Sequence, residues 1–415
     1  MSIKSVMRRG AVMVGVIACV LAGDRGTSRA DERLVIRSMP SPAGLGSAQP
    51  RLIALEDGIA MSWLERYGQG HRLRWSRWRD QRWSRPVTIA QGDSFFVNWA
   101  DFPSVRWLGG TRWAAHWLWK SGAGTYSYDV RLSQSEDDGR SWSRPILPHR
   151  DGTATEHGFG TLLRDDHGVR AVWLDGRNFS GPEADGNAGA NMTVRTAVLA
   201  PNGRLSDEHE LDDRSCECCA TAAVRTARGV LVAYRDRGAD EIRDIALVRH
   251  EHGRWTKPYR LHADGWKIAG CPVNGPAMDA SGDRVVIAWY TAAADTPRVF
   301  AAFSEDGGRA FSNPIRIDGG DPLGRVGATL LPDGSALVSW LENGGGKSAI
   351  KVRRVSRDGG VWPPQIVAAS SSARNSGFPQ IVRSNGEVWF AWTESGSQPR
   401  VRIARSTVSR GRSAQ

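Results

Sequence analysis

Val285-Val-Ile-Ala-Trp289 decides the fold, because it recurs. Earlier copies read Ile59-Ala-Met-Ser-Trp63, Trp113-Ala-Ala-His-Trp117, Val169-Arg-Ala-Val-Trp173 and Val230-Leu-Val-Ala-Tyr234. Later copies read Ala336-Leu-Val-Ser-Trp340 and Val388-Trp-Phe-Ala-Trp392. Their closing aromatics stand 51 to 61 residues apart. Each copy is a short apolar strand in a similar frame. A strand such as Arg51-Leu-Ile-Ala-Leu55 or Gly327-Ala-Thr-Leu-Leu331 precedes it across a polar turn. A third, alternating strand such as Tyr128-Asp-Val-Arg-Leu132 follows, then a Gly-rich turn. Trp-Ser-x-Pro opens a fourth strand at Trp83-Ser84-Arg85-Pro86 and Trp142-Ser143-Arg144-Pro145.

Four strands at this period predict the blades of an all-β propeller. One blade cannot bury both faces, so neighbours must stack. Seven copies predict seven blades, with six as the alternative. The seventh copy lacks a fourth strand before the chain ends. Leu34-Val-Ile-Arg37, upstream of the first copy, is placed to supply it, so that strands from both termini close the ring and leave no open edge.

The chain has 415 residues and a formal net charge of +11. A basic surface attracts anions such as acidic sugars. The positive residues are almost all Arg, spread without a run or a basic helix, which argues against nucleic acid as a partner. The N-terminus reads as a signal peptide over residues 1–30, leaving residues 31–415 as the propeller. Lys4, Arg8 and Arg9 precede an apolar stretch from Ala11 to Gly23, and Ser28-Arg29-Ala30 has the small-x-small form of a cleavage site. Val16-Ile17-Ala18-Cys19 offers the alternative of a lipidated Cys19. Either way the mature protein is expected in the periplasm or outside the cell. No later segment is apolar enough for a transmembrane helix.

Ser135-x-Asp137-x-Gly139-x-x-Trp142 and Ser304-x-Asp306-x-Gly308-x-x-Phe311 resemble the Asp-box (BNR repeat) of the sialidase superfamily of propellers. Ser356-x-Asp358-x-Gly360-Val-Trp362 is a shortened third copy. The resemblance covers nearly the whole mature chain as repeats, and it implies fold more than activity. It implies an Asp acid/base, a Tyr nucleophile with a Glu partner, and arginines that clamp a carboxylate. Here those roles fall to Asp101, to Tyr234 with Glu241, and to Arg177, Arg235, Arg237 and Arg243, with Trp99 as a sugar platform. The substrate implied is an acidic glycan, cleaved by a glycoside hydrolase. The chain departs from the family in three ways. It has seven repeats where six are typical, no Arg-Ile-Pro near the mature N-terminus, and no Tyr after Tyr290.

In a four-stranded blade, the loops from strand two to three and from blade to blade share one face. The polar loops predicted there gather over blades two to four, where sites usually live. The most unusual holds Cys216, Cys218 and Cys219, with Cys271 in the next equivalent loop. Two disulfides are one reading in an oxidising compartment. Against them, Cys271 takes one partner only, and a bridge within Cys-x-Cys or a vicinal pair is strained. Clustered thiolates suit Cu(I) or Zn(II), with His149 and His157 of the preceding loop as further ligands. A redox-active thiol pair is the third reading. A propeller serving only as a scaffold for a periplasmic protein partner is also open.

Overall fold

The computed structural model describes residues 33–179 and 190–407. The predicted signal peptide and Cys19 lie outside the described residues. The described chain is a ring of seven antiparallel blades, as the repeat predicts. Blade 1 opens with strands Ser47–Leu55, Gly58–Tyr67 and Gly70–Arg79, and its outer edge is Arg82–Trp83 and Val87–Gly92. Every later blade except blade 2 repeats this order outward from the axis. Blade 7 pairs Gln380–Ser384, Glu387–Glu394 and Arg400–Thr407 with Arg37–Met39, so both termini close the ring. The closing strand begins at the last residue of the predicted segment. Leu34 instead exchanges hydrogen bonds with the side chain of Gln365 in blade 6.

All seven repeated aromatics are buried. A buried indole must place its N–H, and three copies do so identically. Trp63, Trp173 and Trp340 donate to the carboxylates of Glu65, Asp175 and Glu342, each two residues on and on the same strand face. Apolar side chains of facing blades then fill the space between sheets, which is what holds one blade to the next.

The turns after the third strands close as their sequence requires. Ser135 accepts from Gly139 N–H, and Asp137 accepts from the N–H groups of Arg140 and Ser141. Gly139 has a φ of 75°, and a Cβ there would lie 2.0 Å from the Trp75 ring, so only glycine fits. Ser304, Asp306 and Gly308 repeat the pattern.

Blade 2 is the irregular one. Only Ser104–Gly109, Arg112–Lys120 and Tyr128–Ser135 form its ladder, and the fourth position reduces to Ile146 against Leu132. Residues 147–155 leave the ladder and form the connection to blade 3, with Glu156 bridged to Tyr128. There Tyr128 N–H bonds Thr155 C=O and Gly176 N–H bonds Glu156 C=O.

Candidate functional site

The blade-to-blade loops and the strand-two-to-three loops do share a face and interlock. Cys216 N–H donates to Arg235 C=O, Arg243 N–H to Trp266 C=O, and Ile268 N–H to Glu241 C=O. Three groups of chemistry-bearing side chains result.

The first is the thiol cluster. Cys216 and Cys219 are buried, Cys218 is half-buried and Cys271 exposed, and all four are free. The sulfur of Cys216 lies 3.3 Å from that of Cys219 and 3.8 Å from that of Cys218. Two N–H donors address the sulfurs: Arg243 Nη1 at 3.3 Å from Cys216 and Asn274 N at 3.3 Å from Cys219. Hydrogen bonds from the Cys218 and Cys219 thiols, helped by Arg243, hold Cys216 well below the usual thiol range. The bond to Cys216 raises Cys218, and burial raises Cys219. Glu217 and Glu241 close around this group, each bound by both Arg237 and Arg243.

The geometry corrects one step of the sequence argument. Strain does not exclude two disulfides, because Cys216 and Cys219 form a Cys-x-x-Cys pair with sulfurs 3.3 Å apart, which leaves Cys218 and Cys271 for the second bridge. The choice between an ion and disulfides therefore turns on how the sulfurs are arranged about a common point.

The second group replaces the histidine part of that expectation. His149 and His157 are brought together, but with carboxylates rather than with the thiols. Their rings stack 3.8 Å apart at an interplanar angle of 3°. Asp129, Asp151 and Asp175 surround them. Burial and the neighbouring His157 push His149 down to about 4, so its imidazole is neutral at neutral pH. Against the upward push of burial, the Thr153 hydroxyl and N–H hold Asp151 well below the usual carboxylate range. A cavity of about 530 Å³ opens beside the cluster, lined by Asp129, His149 and Thr153.

The third group is Asp101, Tyr128 and Glu156. Tyr128 OH stands 3.2 Å from Asp101 Oδ2 and 2.8 Å from Glu156 Oε1, and Phe159 N–H donates to Asp101 at 2.7 Å. Burial raises both carboxyls to about 7, and their mutual repulsion adds to Glu156. Asp101 is covered: a Cβ on Gly158 would lie 2.2 Å from its Oδ2. Both folded values exceed the unfolded ones of about 4. The stabilisation from the protonated forms is therefore complete below pH ~4 and lost as pH rises toward 7. Asp101→Asn is expected to flatten the fall in melting temperature between pH 5 and 8 relative to wild type. Parallel curves for the two proteins would contradict the assignment.

The remaining expected site residues are dispersed. Tyr234 is wholly buried and donates to Asp212, so it does not meet Glu241. Arg235 is buried and donates to three backbone carbonyls, those of Asn274, Arg243 and Tyr290. Arg177 forks onto Asp175, with both bonds at 2.7 Å. Trp99 stacks on Phe378 beneath the guanidinium of Arg325. No common carboxylate clamp is formed by these arginines. Tyr128, Asp129, Asp151, Glu156 and Asp175 are the residues of these clusters that the sequence left unassigned. Their signal was adjacency alone: Tyr128-Asp129 opens the third strand of blade 2, and Glu156 precedes His157.

Fold and site together define a seven-bladed propeller that carries a thiol cluster and an imidazole–carboxylate cluster on one face. No protein-family model matches the sequence, and no curated protein matches it. Among solved structures, a polysaccharide lyase of family PL25, an ulvan lyase bound to -[GlcA(1-4)Rha3S]-, superposes with a TM-score of 0.55 at 12% identity. That match spans 88% of this chain and 95% of the lyase. The polysaccharide lyase Uly1 gives 0.50 at 8% identity, over 86% and 89% of the two chains. The phage phi92 endosialidase is looser, at 0.48 and 10% identity over 92% and 70%. The likeness to the two lyases is one of fold.

Proposed function

We propose that this protein is a metal-binding propeller in which Cys216, Cys218 and Cys219 hold one soft ion, Cu(I) or Zn(II), with Cys271 closing the set. The observation that carries the reading is the arrangement of the sulfurs. All three loop thiols lie within 4.8 Å of one another. Zinc–sulfur bonds of about 2.3 Å in a tetrahedron put sulfurs about 3.8 Å apart; Cys216–Cys218 stands at that separation and Cys216–Cys219 is closer, at 3.3 Å. Two N–H donors on the sulfurs match the outer contacts that orient and stabilise metal thiolates. The N-terminal segment implies an exported protein, where four clustered free thiols need an ion to escape oxidation.

A second reading is an acidic-glycan protein. Its support is the net charge of +11 and the fold shared with a lyase that binds a glucuronate-containing polymer.

One measurement separates them. Metal content and free thiols are determined on the same sample of exported protein. About one equivalent of copper or zinc, with thiols exposed only after chelation, is expected. No metal and no free thiols would overturn the metal reading. The cysteines would then be structural staples, and uronide binding would become the question.

A further inference from the structure

A cavity of about 600 Å³ lies on the axis of the ring, lined by the first strands of all seven blades. We infer that it binds a small multivalent oxyanion, a phosphate or a polycarboxylate, through Arg51, Arg106, Arg164 and Arg383. The inference rests on neither the thiolate reading nor the glycan reading.

The first argument is charge. Among the described residues, four guanidinium groups line the cavity and a single carboxylate, that of Asp279. That carboxylate is already engaged. Its Oδ2 accepts from the Thr329 hydroxyl at 2.9 Å and from Leu330 N–H at 2.8 Å. Behind the wall, Asp101 acts on Arg51 and Asp166 on Arg164. Burial pushes Asp101 up to about 7, so it is only partly ionised at neutral pH. Asp166 is paired with Arg225. The cavity is left with an excess of positive charge, and walls of low dielectric focus that field on an incoming anion.

The second argument is unused donors. Arg106 and Arg164 make no hydrogen bond and no close ion pair among the described residues, and both are exposed where they line the cavity. Arg51 Nε is buried without a partner, and its Nη1 meets only the neutral side chain of Gln380, at 3.2 Å. Arg383 gives its Nε to Leu330 C=O at 2.8 Å. Desolvation by the surrounding strands lowers the pKa of both Arg51 and Arg106 from the ordinary value. Charges held away from bulk water call for a counter-charge. The guanidinium fork meets an oxyanion with two parallel bonds, which makes carboxylate or phosphate the fitting partner.

The third is position. Arg164 pairs with Val169 and Arg383 with Val388, each one step before the pair that closes the turn to strand two. Arg106 pairs with Ala114, three steps before its closing pair, and Arg51 with Ser62, four before. At about 3.3 Å per residue, the four arginines spread over about 10 Å of the axis. Small residues such as Ala54, Ala222, Ala280 and Gly327 leave the space between them open. An anion with two or more charges can engage arginines at both depths, whereas a single carboxylate engages one level. Arg164 and Arg383 lie toward the turns between strands one and two, on the face opposite the thiols, so this site is distinct from theirs.

The test titrates the full chain calorimetrically at constant ionic strength with inorganic phosphate, tricarballylate and acetate. Phosphate or tricarballylate is expected to bind at least ~10-fold more tightly than acetate and to raise the melting temperature. Which of the two binds more tightly tells a phosphate ligand from a polycarboxylate one. Arg106→Gln/Arg164→Gln is expected to weaken that binding at least ~10-fold, each position removing a charge-assisted fork. Its anion-free melting temperature should equal or exceed that of wild type, because neither side chain bonds within the protein, whereas a merely structural role would lower it. If the double variant fails to fold, Arg164→Gln alone, at an exposed position, is expected to weaken binding at least ~3-fold. Multivalent anions binding no more tightly than acetate, or wild-type affinity in a folded variant, would overturn the inference.

Discussion

Cys216→Ser is expected to lower the affinity for copper or zinc by more than ~100-fold, since even the outer partners of metal ligands are worth 10–100-fold. Metal retained after purification should fall accordingly from one equivalent toward none. Cys216 is the hub of the thiol cluster. It is the sulfur that both other loop thiols approach and that Arg243 contacts directly. It is also fully buried, so no water can stand in for the lost ligand. Cys271 is exposed, and a solvent molecule can replace its sulfur, so Cys271→Ser is expected to cost only ~10-fold. Competition against a chelator of known affinity reads both values. Unchanged metal content in Cys216→Ser would sink the thiolate site, and equal losses for Cys216 and Cys271 would require a site shared evenly between the two loops. The substitution removes little volume, so near-native circular dichroism should accompany the loss.

Arg235→Ala is expected to destabilise the folded protein by about 4 kcal/mol or more, because bonds from a charged donor are worth roughly 1.5–3 kcal/mol each. The side chain is 1% exposed. Its guanidinium joins the second strand of blade 4 to Tyr290 of blade 5 and to both loops that frame the thiols, and it lies over the Trp266 ring. Truncation strips three buried carbonyls of their donor and leaves a cavity beneath an indole. Arg235→Lys can restore one of those bonds but not the planar fork, so it should recover only part of the loss. Denaturant midpoints for the three proteins check this. A stable Arg235→Ala variant with altered ligand binding would return Arg235 to the role of a carboxylate clamp.

The contrast between these two positions shows what could be read in advance. The cysteines were legible because three of them fall within four residues, and a chain that short cannot separate them. The repeat was legible for a related reason. Alternation, the closing aromatic and the turn glycines are local properties of each strand, and seven repetitions leave one way to bury seven apolar faces. Closure by the N-terminal strand followed, because an unpaired edge in blade 7 demanded a partner.

Arg235 and Tyr234 misled the sequence reading because they sit where a loop begins. Whether such a side chain turns outward to a ligand or inward to the core depends on the strand's last pleat and on the neighbouring blade. Tyr234 turns inward to Asp212, and Arg235 finds backbone carbonyls of blade 5. The histidines misled it differently. Sequence placed them in the loop before the cysteines, but not beside Asp129 of the third strand and Asp175 of the next blade. That meeting depends on blade 2 losing its fourth strand after Ile146, which leaves the loop free to pack between blades 2 and 3.

The architecture, the closure of the ring and the thiol cluster could be read from the chain, because all of them follow from spacing along a single segment or from its regular repetition. Which arginines serve the fold, which carboxylates accept from Tyr128, and where the histidines find their partners became visible only in the folded ring. Those contacts join residues from different blades, and their distances are set by the curvature of the ring and the path of irregular loops, neither of which is a property of any one stretch of chain.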